Sequence, residues 1–331
     1  MKPRIWVLLG HRKGDNNQLL ALAQALKLPF ETRTIRYNLL RKLPKEILGK
    51  QLVSVLPEAR KWLQPPWPDL ILGVGHRSVP VGRFIRDANH GRTKVVQLGN
   101  PRIHPRHFDL VITTPQYGVE DSPNVVRLPY AMNNPHPPEK PTAEELAFFD
   151  ALPRPHRLFV IGGPNKNLFI APEDVARSMK ALVQRSEKHG GTAIAIGSPR
   201  TPKEVTDAVA NAVAGTRHRF VSGRVPRYRT LLYEADEIYV TADSVSMLSE
   251  AIFTGKPVAM VPVRTNRRGR TLNLAADLHL RKPPRPDLRA VWSILKSRGM
   301  VGTLEKPRAS AAADPVTIAA DAVLRLLDED R

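Results

Sequence analysis

The stretch TADSVSMLSEAIFTGKPV, residues 241–258, decides the fold, because it has the pattern of a strand end, a helix and the start of another strand. From Met247 onward, apolar residues recur at i, i+1, i+4 and i+5, which predicts one buried helical face. Ser244 and Ser246 open this helix, and a lone acid, Glu250, follows. Serines cap helices and early acids suit the helix dipole, so a well-capped core helix is one interpretation. The functional alternative is a nucleotide site, with a diphosphate on the helix N-terminus and a ribose farther along.

The same alternation of strands and helices runs through the rest of the chain, which predicts parallel sheets. In the first half, strands are expected over 4–10, 31–37, 69–75, 93–99 and 108–114, with helices over 15–27, 45–63 and 79–89. In the second half, strands are expected over 157–163, 192–198, 218–223, 237–242 and 257–263.

A segment rich in proline and polar residues at 131–156 predicts a linker between the two halves. We therefore expect an α/β protein with two Rossmann-like, doubly wound domains facing a cleft, one over 1–140 and the other over 141–331. The amphipathic C-terminal helix could pack back on the first domain. Ligands of such folds bind at the carboxyl ends of strands, so site residues are expected in the turns that follow strands.

Charge is the unusual feature of the composition. Lysine and arginine number 51 against 31 acidic residues, a net charge of +20. Anionic membranes, phosphorylated substrates and nucleic acid are all compatible with this excess, and a GC-rich genome is the non-functional explanation. Nucleic acid is disfavoured, because only 6% of residues are aromatic and no reading motif is present.

Cysteine is absent, which excludes disulfide and thiol chemistry and fits a reducing compartment. No apolar run reaches the roughly 18 residues that a membrane-spanning helix needs. We expect a cytoplasmic location, with peripheral association at the inner face of the membrane. The segment 36–67 suggests that association, because it combines leucines with lysines and arginines as membrane-surface segments do. A core helix with a solvated basic face is the alternative.

Polar turns follow three of the strands expected in the first half. The turn GHRKGDNN presents His11, which could act as a general base because imidazole titrates near neutrality, and an exposed turn histidine is the alternative. Asp15 or Asn16 is expected to cap the next helix, and Ser78 the helix after GVGHRSVP. The residues expected to line an acceptor cleft are Gly14, Asn17, His76, Arg77, Asn100 and Arg102.

Four glycine-rich or polar turns follow successive strands of the second half, a set that suits a nucleotide diphosphate. Thr201 could equally be a simple helix cap. Helix rise is about 1.5 Å per residue, so Glu250 should lie roughly 6 Å beyond Ser246, which matches the separation of a diphosphate from the ribose hydroxyls of one nucleotide. A carboxylate is a natural acceptor for a ribose diol. The residues expected to bind a donor nucleotide are Gly162, Gly163, Lys166, Ser198, Arg200, Val225, Thr241, Ser244, Ser246 and Glu250.

Six stretches along the chain together carry a resemblance to one known family: GHRKGDNNQLLALAQAL, NPRIHPRHFDLVI, NVVRLPYAMN, VIGGPNKN, SPRTP and TADSVSMLSEAIFTGKPV. With them the chain resembles the Elm-type mitochondrial fission factor family, whose bacterial members are regarded as GT-B-like glycosyltransferases. The resemblance implies that Ser244, Ser246 and Glu250 bind the diphosphate and ribose of the donor, and that 162–163 approaches the phosphates near Arg200. It also implies transfer without a metal, in which cations or helix dipoles stabilise the departing nucleotide diphosphate.

The sequence agrees with metal independence, since no metal-ligating motif stands out among its histidines and acids. It departs from the family pattern at Gln116 and Tyr117, where a His-Asp pair is expected, and in the very basic stretch 264–270. The leading prediction is a GT-B glycosyltransferase that uses a nucleotide-diphosphate sugar, with no further cofactor, and a lipid or lipopolysaccharide-type acceptor. A nucleotide-sugar epimerase of the same architecture and a non-catalytic membrane adaptor are the alternatives.

Overall fold

The computed structural model describes residues 2–132, 140–280, 286–311 and 314–328. The chain divides into two compact units. The first unit comprises Met1–Asn134 and Ala313–Arg331, and the second comprises Pro135–Ala312. Both are α/β units built around parallel sheets, as the alternating sequence pattern predicts.

The first unit is built on a six-stranded parallel sheet in the order β2-β1-β3-β4-β5-β6. Its strands are β1 Ile5–Leu9, β2 Phe30–Thr34, β3 Leu70–Val74, β4 Lys94–Leu98, β5 Leu110–Thr113 and β6 Val125–Arg127. The helices between them are α1 Lys13–Ala25, α2 Lys45–Leu48, α3 Pro57–Arg60 and α4 Val79–Ala88. Central strands such as β3 are buried along almost their whole length, because helices cover both faces of a parallel sheet.

The second unit repeats this plan with a five-stranded parallel sheet in the order β10-β9-β7-β11-β12. Its strands are β7 His156–Ile161, β9 Thr192–Gly197, β10 Arg219–Val221, β11 Glu237–Thr241 and β12 Val258–Val261. A short antiparallel ribbon pairs β8 Leu168–Phe169 with β13 Arg264–Thr265. The helices are α5 Ala143–Asp150, α6 Pro172–His189, α7 Lys203–Val213, α8 Tyr228–Glu234, α9 Val245–Phe253, α10 Arg267–Asp277 and α11 Leu288–Ser297.

The last helix, α12 Pro315–Asp328, belongs to the first unit. Val316, Ala319 and Val323 on this helix are buried in the same core cluster as Leu19 and Leu22 of α1. Each fully buried valine or leucine side chain contributes about 1.5–3 kcal/mol relative to exposure. The C-terminal segment therefore completes the core that the N-terminal segment begins.

The prediction of a continuous helix over 45–63 is wrong. The chain there forms the short helices α2 and α3, preceded by a 3-10 turn over Leu39–Lys42. Gly49 adopts a positive φ of 54° directly after α2, which ends a right-handed helix, and Pro57 starts α3 because proline fits a first helical position. None of the described helices is long and apolar enough to cross a membrane.

The linker expected over 131–156 is not uniformly irregular, because α5 lies within it. Its start is a capping box, in which the Thr142 hydroxyl accepts from the Glu145 amide and the Glu145 carboxylate accepts from the Thr142 amide. The proline-rich part of the predicted linker, 133–139, lies outside the described residues. The strand β6 and the ribbon of β8 and β13 are further elements that the sequence pattern missed.

Candidate functional site

The turns after β9, β7 and β11 meet at one edge of the second unit, since these three strands are neighbours in the sheet. Two of the turns are joined by hydrogen bonds. The Gly162 amide donates to the Thr241 hydroxyl at 2.8 Å, and the Gly163 amide donates to the Asp243 carboxylate at 3.1 Å. The Thr241 hydroxyl donates in turn to Asp243 at 2.6 Å. The turn after β7 is therefore fixed against the turn that leads into α9.

Both glycines of the turn after β7 are required by close packing. A Cβ atom on Gly162 would lie 2.1 Å from a carboxylate oxygen of Asp243, and one on Gly163 would lie 2.4 Å from the carbonyl oxygen of Arg200. This internal packing accounts for the GG pair without any ligand. Asp243, which was not among the predicted binding residues, is the buried acid at the centre of this edge, and burial raises its pKa.

The turn after β9 completes the edge, and Thr201 does not cap the next helix as the sequence suggested. α7 begins at Lys203, and the Thr201 hydroxyl donates to the Gly162 carbonyl at 2.6 Å. The same hydroxyl accepts from the Ser198 amide at 2.8 Å, and Ser198 accepts from the Arg200 amide at 3.3 Å. A hydroxyl with these partners acts as a tie between two turns.

The start of α9 combines a satisfied cap with a free hydroxyl. The Ser244 side chain accepts from the Met247 amide at 3.4 Å, so its predicted capping role is confirmed. Ser246 is exposed, and its hydroxyl makes no hydrogen bond within the described parts of the chain. The remaining amides of the first turn are orphan donors, as they are in every helix. The N-terminus of α9 is thus open to an anion.

Glu250 lies one turn beyond Ser246 and is tied to a neighbouring helix. The Tyr228 phenol, at the first position of α8, donates to the Glu250 carboxylate at 2.9 Å. Burial raises the pKa of Glu250, and Tyr228 and Arg229 oppose that rise. Val225, on the turn leading to Tyr228, is 40% exposed. Tyr228 was not among the binding residues predicted from the sequence, where only its position three residues after Val225 pointed to it.

The turn that carries Val225 and Tyr228 is anchored from α5. The Glu145 carboxylate is 1% exposed and accepts from the Arg227 amide at 2.9 Å, from the Arg227 guanidinium at 2.7 and 2.8 Å, and from the Thr230 hydroxyl at 2.8 Å. The Arg227 guanidinium, first among these partners, holds the pKa of Glu145 well below its usual range. No sequence motif pointed to this anchor, because a glutamate near a proline-rich stretch looks like an exposed residue.

Lys166 lines an open depression of the second unit together with Asp243, Arg268 and Trp292. The Trp292 indole donates to the Ala242 carbonyl at 2.8 Å, which holds α11 beside the turn that precedes α9. Lys166 is exposed. The depression therefore joins the lysine predicted for phosphate binding to the same turn that carries Thr241 and Ser244.

A second group of predicted residues meets in the first unit. His11, His76 and Arg77 line one pocket at the carboxyl ends of β1 and β3, and Tyr37 and Asp15 also border it. The remaining predicted cleft residues, Gly14, Asn17, Asn100 and Arg102, do not line this pocket as it is described.

The expected caps of the first unit make other contacts. α1 begins at Lys13, so Gly14 lies in its first turn rather than in a tight loop. The Asn16 side chain instead donates to and accepts from the backbone of Gly10, both at 2.8 Å, and thereby closes the turn after β1. Ser78 stands at the N-cap position of α4 but makes no capping bond there. Its hydroxyl donates to the Val74 carbonyl at 3.1 Å.

The turns after β4 and β5 hold the other predicted first-unit residues. The Asn100 side chain donates to the Tyr117 carbonyl at 2.9 Å and accepts from the Arg102 amide at 2.8 Å. Gln116 is buried, while burial and then the nearby Asp15 carboxylate raise the pKa of Tyr117. Of the two residues that depart from the family pattern, Tyr117 therefore lies near the first turn of α1.

The His11 side chain is in contact with a cation. The Arg77 guanidinium Nη1 lies 2.9 Å from Nε2 and 3.1 Å from Nδ1 of the ring. Desolvation lowers the pKa of His11, and the positive charges of Arg77, Arg12 and Arg41 lower it further. The imidazole is consequently neutral near pH 7, the form that a general base requires.

No cluster of three or more histidine and acidic side chains suited to a metal ion occurs in the described residues. The arrangement thus offers two chemical centres, one in each unit. The second unit has a helix N-terminus with a carboxylate one turn later, and the first unit has a neutral histidine among arginines.

Comparison with known proteins identifies the family. The family model described as "Mitochondrial fission ELM1" matches residues 13–320. The chain belongs to the ELM1 mitochondrial fission family. An uncharacterized protein of Rickettsia prowazekii is 25% identical over 291 residues, which cover 77% of this chain and 82% of that protein. Mitochondrial fission protein ELM1 of Arabidopsis thaliana is 25% identical over 241 residues, or 65% of this chain and 56% of the plant protein.

Among solved structures, UDP-GlcNAc 2-epimerase from Methanocaldococcus jannaschii is similar in fold, with a TM-score of 0.53 and 14% sequence identity. The similarity covers 98% of this chain and 99% of the epimerase. The fold of this ELM1-family chain is therefore GT-B-like, as the resemblance implied.

Proposed function

We propose that this protein is a GT-B glycosyltransferase that takes a sugar from a nucleotide-diphosphate donor. The observation that carries the proposal is the arrangement on α9, where an open helix N-terminus is followed one turn later by the half-buried Glu250 carboxylate. A diphosphate and a ribose of one nucleotide have the same order and spacing. The UDP-GlcNAc 2-epimerase of similar fold is named for a nucleotide-sugar substrate, which supports this class of ligand.

The diphosphate would lie at the start of α9. Helix N-termini bind anions through free amides and the helix dipole, and the Ser246 hydroxyl adds a donor. Arg200 and Lys166, on the turns after β9 and β7, supply positive charge at the same sheet edge. These groups would stabilise the nucleotide diphosphate as it leaves, so transfer would not need a metal ion for that purpose.

The ribose would be held by Glu250, whose carboxylate keeps free lone pairs because Tyr228 occupies one oxygen only. The nucleobase of the donor would lie along the turn over 223–226, which offers backbone groups and the exposed side chain of Val225. His11 is the proposed base for the acceptor hydroxyl, since desolvation and then the surrounding arginines lower the pKa of its imidazole and favour the neutral form.

The acceptor side of the proposal is a lipid or lipopolysaccharide-type molecule at the cytoplasmic face of the membrane. Its support is the 3-10 turn and α2 of the first unit. Leu39 is 75% exposed and Ile47 is 67% exposed, which is unusual for large aliphatic side chains so close in sequence. Arg41 and Lys42 lie between them. Apolar and basic side chains together are typical of surfaces that associate with anionic membranes.

Thermal unfolding with UDP, GDP, ADP and CMP tests the donor site. A ligand at 100 times its Kd adds about 2.7 kcal/mol to the free energy of unfolding, which is readily measured. We expect one nucleoside diphosphate to stabilise the wild type, and Glu250→Ala to abolish that shift. Glu204→Ala, an exposed acid on α7, is the matched control and should keep it. If none of the nucleotides stabilises the wild type, the transferase proposal fails and the adaptor alternative gains.

The similar fold of the UDP-GlcNAc 2-epimerase favours one second candidate, epimerisation of a nucleotide sugar. The two reactions differ in what happens to the donor. Incubation with UDP-GlcNAc in D2O, followed by proton NMR, would show deuterium at C2 of the sugar if the protein epimerises it. A transferase leaves that position unlabelled.

A further inference from the structure

The pocket that contains His11 has an excess of positive charge. Arg12 and Arg77 line it, and Asp15 is the single acid among the described lining residues. Neither arginine has a carboxylate partner in the described parts of the chain. By contrast, the buried Arg157 is paired with Glu237.

The positive charges in this pocket act on one another. Desolvation lowers the pKa of Arg77, and the charges of Arg41 and Arg12 lower it further. Arg41 belongs to the 3-10 turn over Leu39–Lys42 and donates to the carbonyl of Tyr37, a lining residue, so that turn holds a third guanidinium near the pocket. Like charges held together in a partly desolvated pocket cost free energy, and a bound anion removes that cost. A phosphate accepts hydrogen bonds from several guanidinium groups at once.

Apolar side chains are exposed next to Arg41 in the sequence. Tyr37 lines the pocket, and the chain then continues through Leu39, Leu40 and Arg41. Leu39 is 75% exposed, Leu40 is 44% exposed, and Ile47 on α2 is 67% exposed. One short segment therefore contributes both to the cationic pocket and to an apolar surface. This combination matches a ligand with an anionic head and a hydrocarbon tail.

We propose that the pocket lined by Arg12 and Arg77, with Arg41 nearby, binds the phosphate headgroup of a lipid, whose hydrocarbon chain lies on Leu39, Leu40 and Ile47. The proposal rests on the proposed transferase function and names the class of its acceptor, a phosphorylated lipid. Arg12 and Arg77 hold the phosphate, and His11 stands beside it, in contact with Arg77. The apolar surface holds the tail at the membrane boundary.

The test uses the full chain and vesicles of phosphatidylcholine that contain phosphatidic acid, a lipid with a terminal phosphate monoester. Vesicles with phosphatidylglycerol at matched surface charge provide the same negative charge without that monoester. We expect the wild type to cosediment with phosphatidic acid vesicles at least fivefold more strongly. Each basic residue near an anionic surface contributes about 1 kcal/mol, so Arg12→Gln with Arg77→Gln should reduce binding about 30-fold.

The matched control removes two charges from the opposite edge of the same sheet, by Lys27→Gln with Arg92→Gln. Both side chains are exposed and precede β2 and β4. This variant should keep most of its preference for phosphatidic acid. An equal loss in both double variants would mean that bulk charge alone attracts the vesicles, and it would overturn the proposal.

A comparison of vesicles with soluble ligands distinguishes a lipid from free phosphate as the ligand of this pocket. Leu39→Ser with Ile47→Ser should lose vesicle binding while inorganic phosphate still raises its Tm as much as that of the wild type. If this variant binds phosphatidic acid vesicles as the wild type does, the lipid assignment is wrong. A retained Tm shift with whichever nucleotide stabilises the wild type, in all three double variants, shows that the second unit is intact. Phosphatidic acid binding by a wild type that binds no nucleotide would support the site and defeat the transferase.

Discussion

The Tyr228 phenol donates a hydrogen bond of 2.9 Å to the Glu250 carboxylate and so joins the start of α8 to the middle of α9. Tyr228 itself is held by a turn that the buried Glu145 anchors from α5. A carboxylate that must bind a ribose diol needs a fixed direction, and this chain of contacts supplies one. The residues of the proposed donor site are thus positioned by three helices, of which α5 lies far from α8 and α9 in sequence.

Removal of the Tyr228 hydroxyl should weaken nucleotide binding without unfolding the protein. Tyr228→Phe keeps the ring and deletes the donor to Glu250, so the carboxylate loses its orientation and its pKa rises further. A hydrogen bond to a charged group contributes about 1.5–3 kcal/mol, so we expect roughly a tenfold or greater loss of affinity for the stabilising nucleotide. Isothermal titration calorimetry measures it. Tyr130→Phe, in the first unit, is the control, and an equal loss there would contradict the assigned role.

Nucleotide binding should also depend on the protonation of Glu250. Only the ionised carboxylate accepts from both ribose hydroxyls, and burial raises the pKa of Glu250 above its ordinary 4.5. Affinity should therefore fall as the pH drops through that raised pKa, at a higher pH than an exposed glutamate would require. When binding is measured as a function of pH, this transition should be absent from the Glu250→Gln variant. Its persistence in that variant would assign the transition to another group.

The Glu145 anchor should matter for stability. Glu145→Gln leaves the Arg227 guanidinium without its carboxylate partner, which costs about 3 kcal/mol in the free energy of unfolding for a buried pair. Because Arg227 is itself 41% exposed, we expect about 1–3 kcal/mol. Because the pKa of Glu145 is lower in the folded state than in the unfolded state, this stabilisation is fully present when the pH is above the unfolded-state pKa near 4.5. It is lost progressively as the pH falls below 4.5 toward the folded-state pKa.

Urea unfolding at pH 7 and at pH 4 measures this difference between wild type and Glu145→Gln. Asp174→Asn is the control, because its partner Arg264 is 47% exposed and such surface pairs contribute about 0–1 kcal/mol. If the two variants lose the same stability, the turn over 223–227 is not anchored by Glu145 in solution.

The strands could be predicted from sequence because parallel strands covered on both faces are continuous apolar runs, as in β3 and β11. The helix expected over 45–63 failed because apolar periodicity does not register the positive φ of Gly49. The site was foreseeable only as a set of strand-end turns. That Gly163 contacts Asp243 depends on strands β7 and β11 being neighbours, which no local pattern encodes.

Substitution by alanine should change the free energy of unfolding differently at two glycines that were predicted to line binding turns. A Cβ on Gly163 would lie 2.4 Å from the Arg200 carbonyl oxygen, an atom of the backbone that cannot move aside cheaply, whereas a Cβ on Gly14 meets nothing within 4 Å. Gly14 also lies in the first turn of α1, where alanine is favoured over glycine by up to about 1 kcal/mol. We expect Gly163→Ala to lower the free energy of unfolding by about 1–3 kcal/mol, as overpacked sites do, and Gly14→Ala to leave it equal or higher. Urea unfolding distinguishes them. Equal stability of both variants would mean that the turns after β7 and β9 are farther apart in solution than their hydrogen bonds indicate.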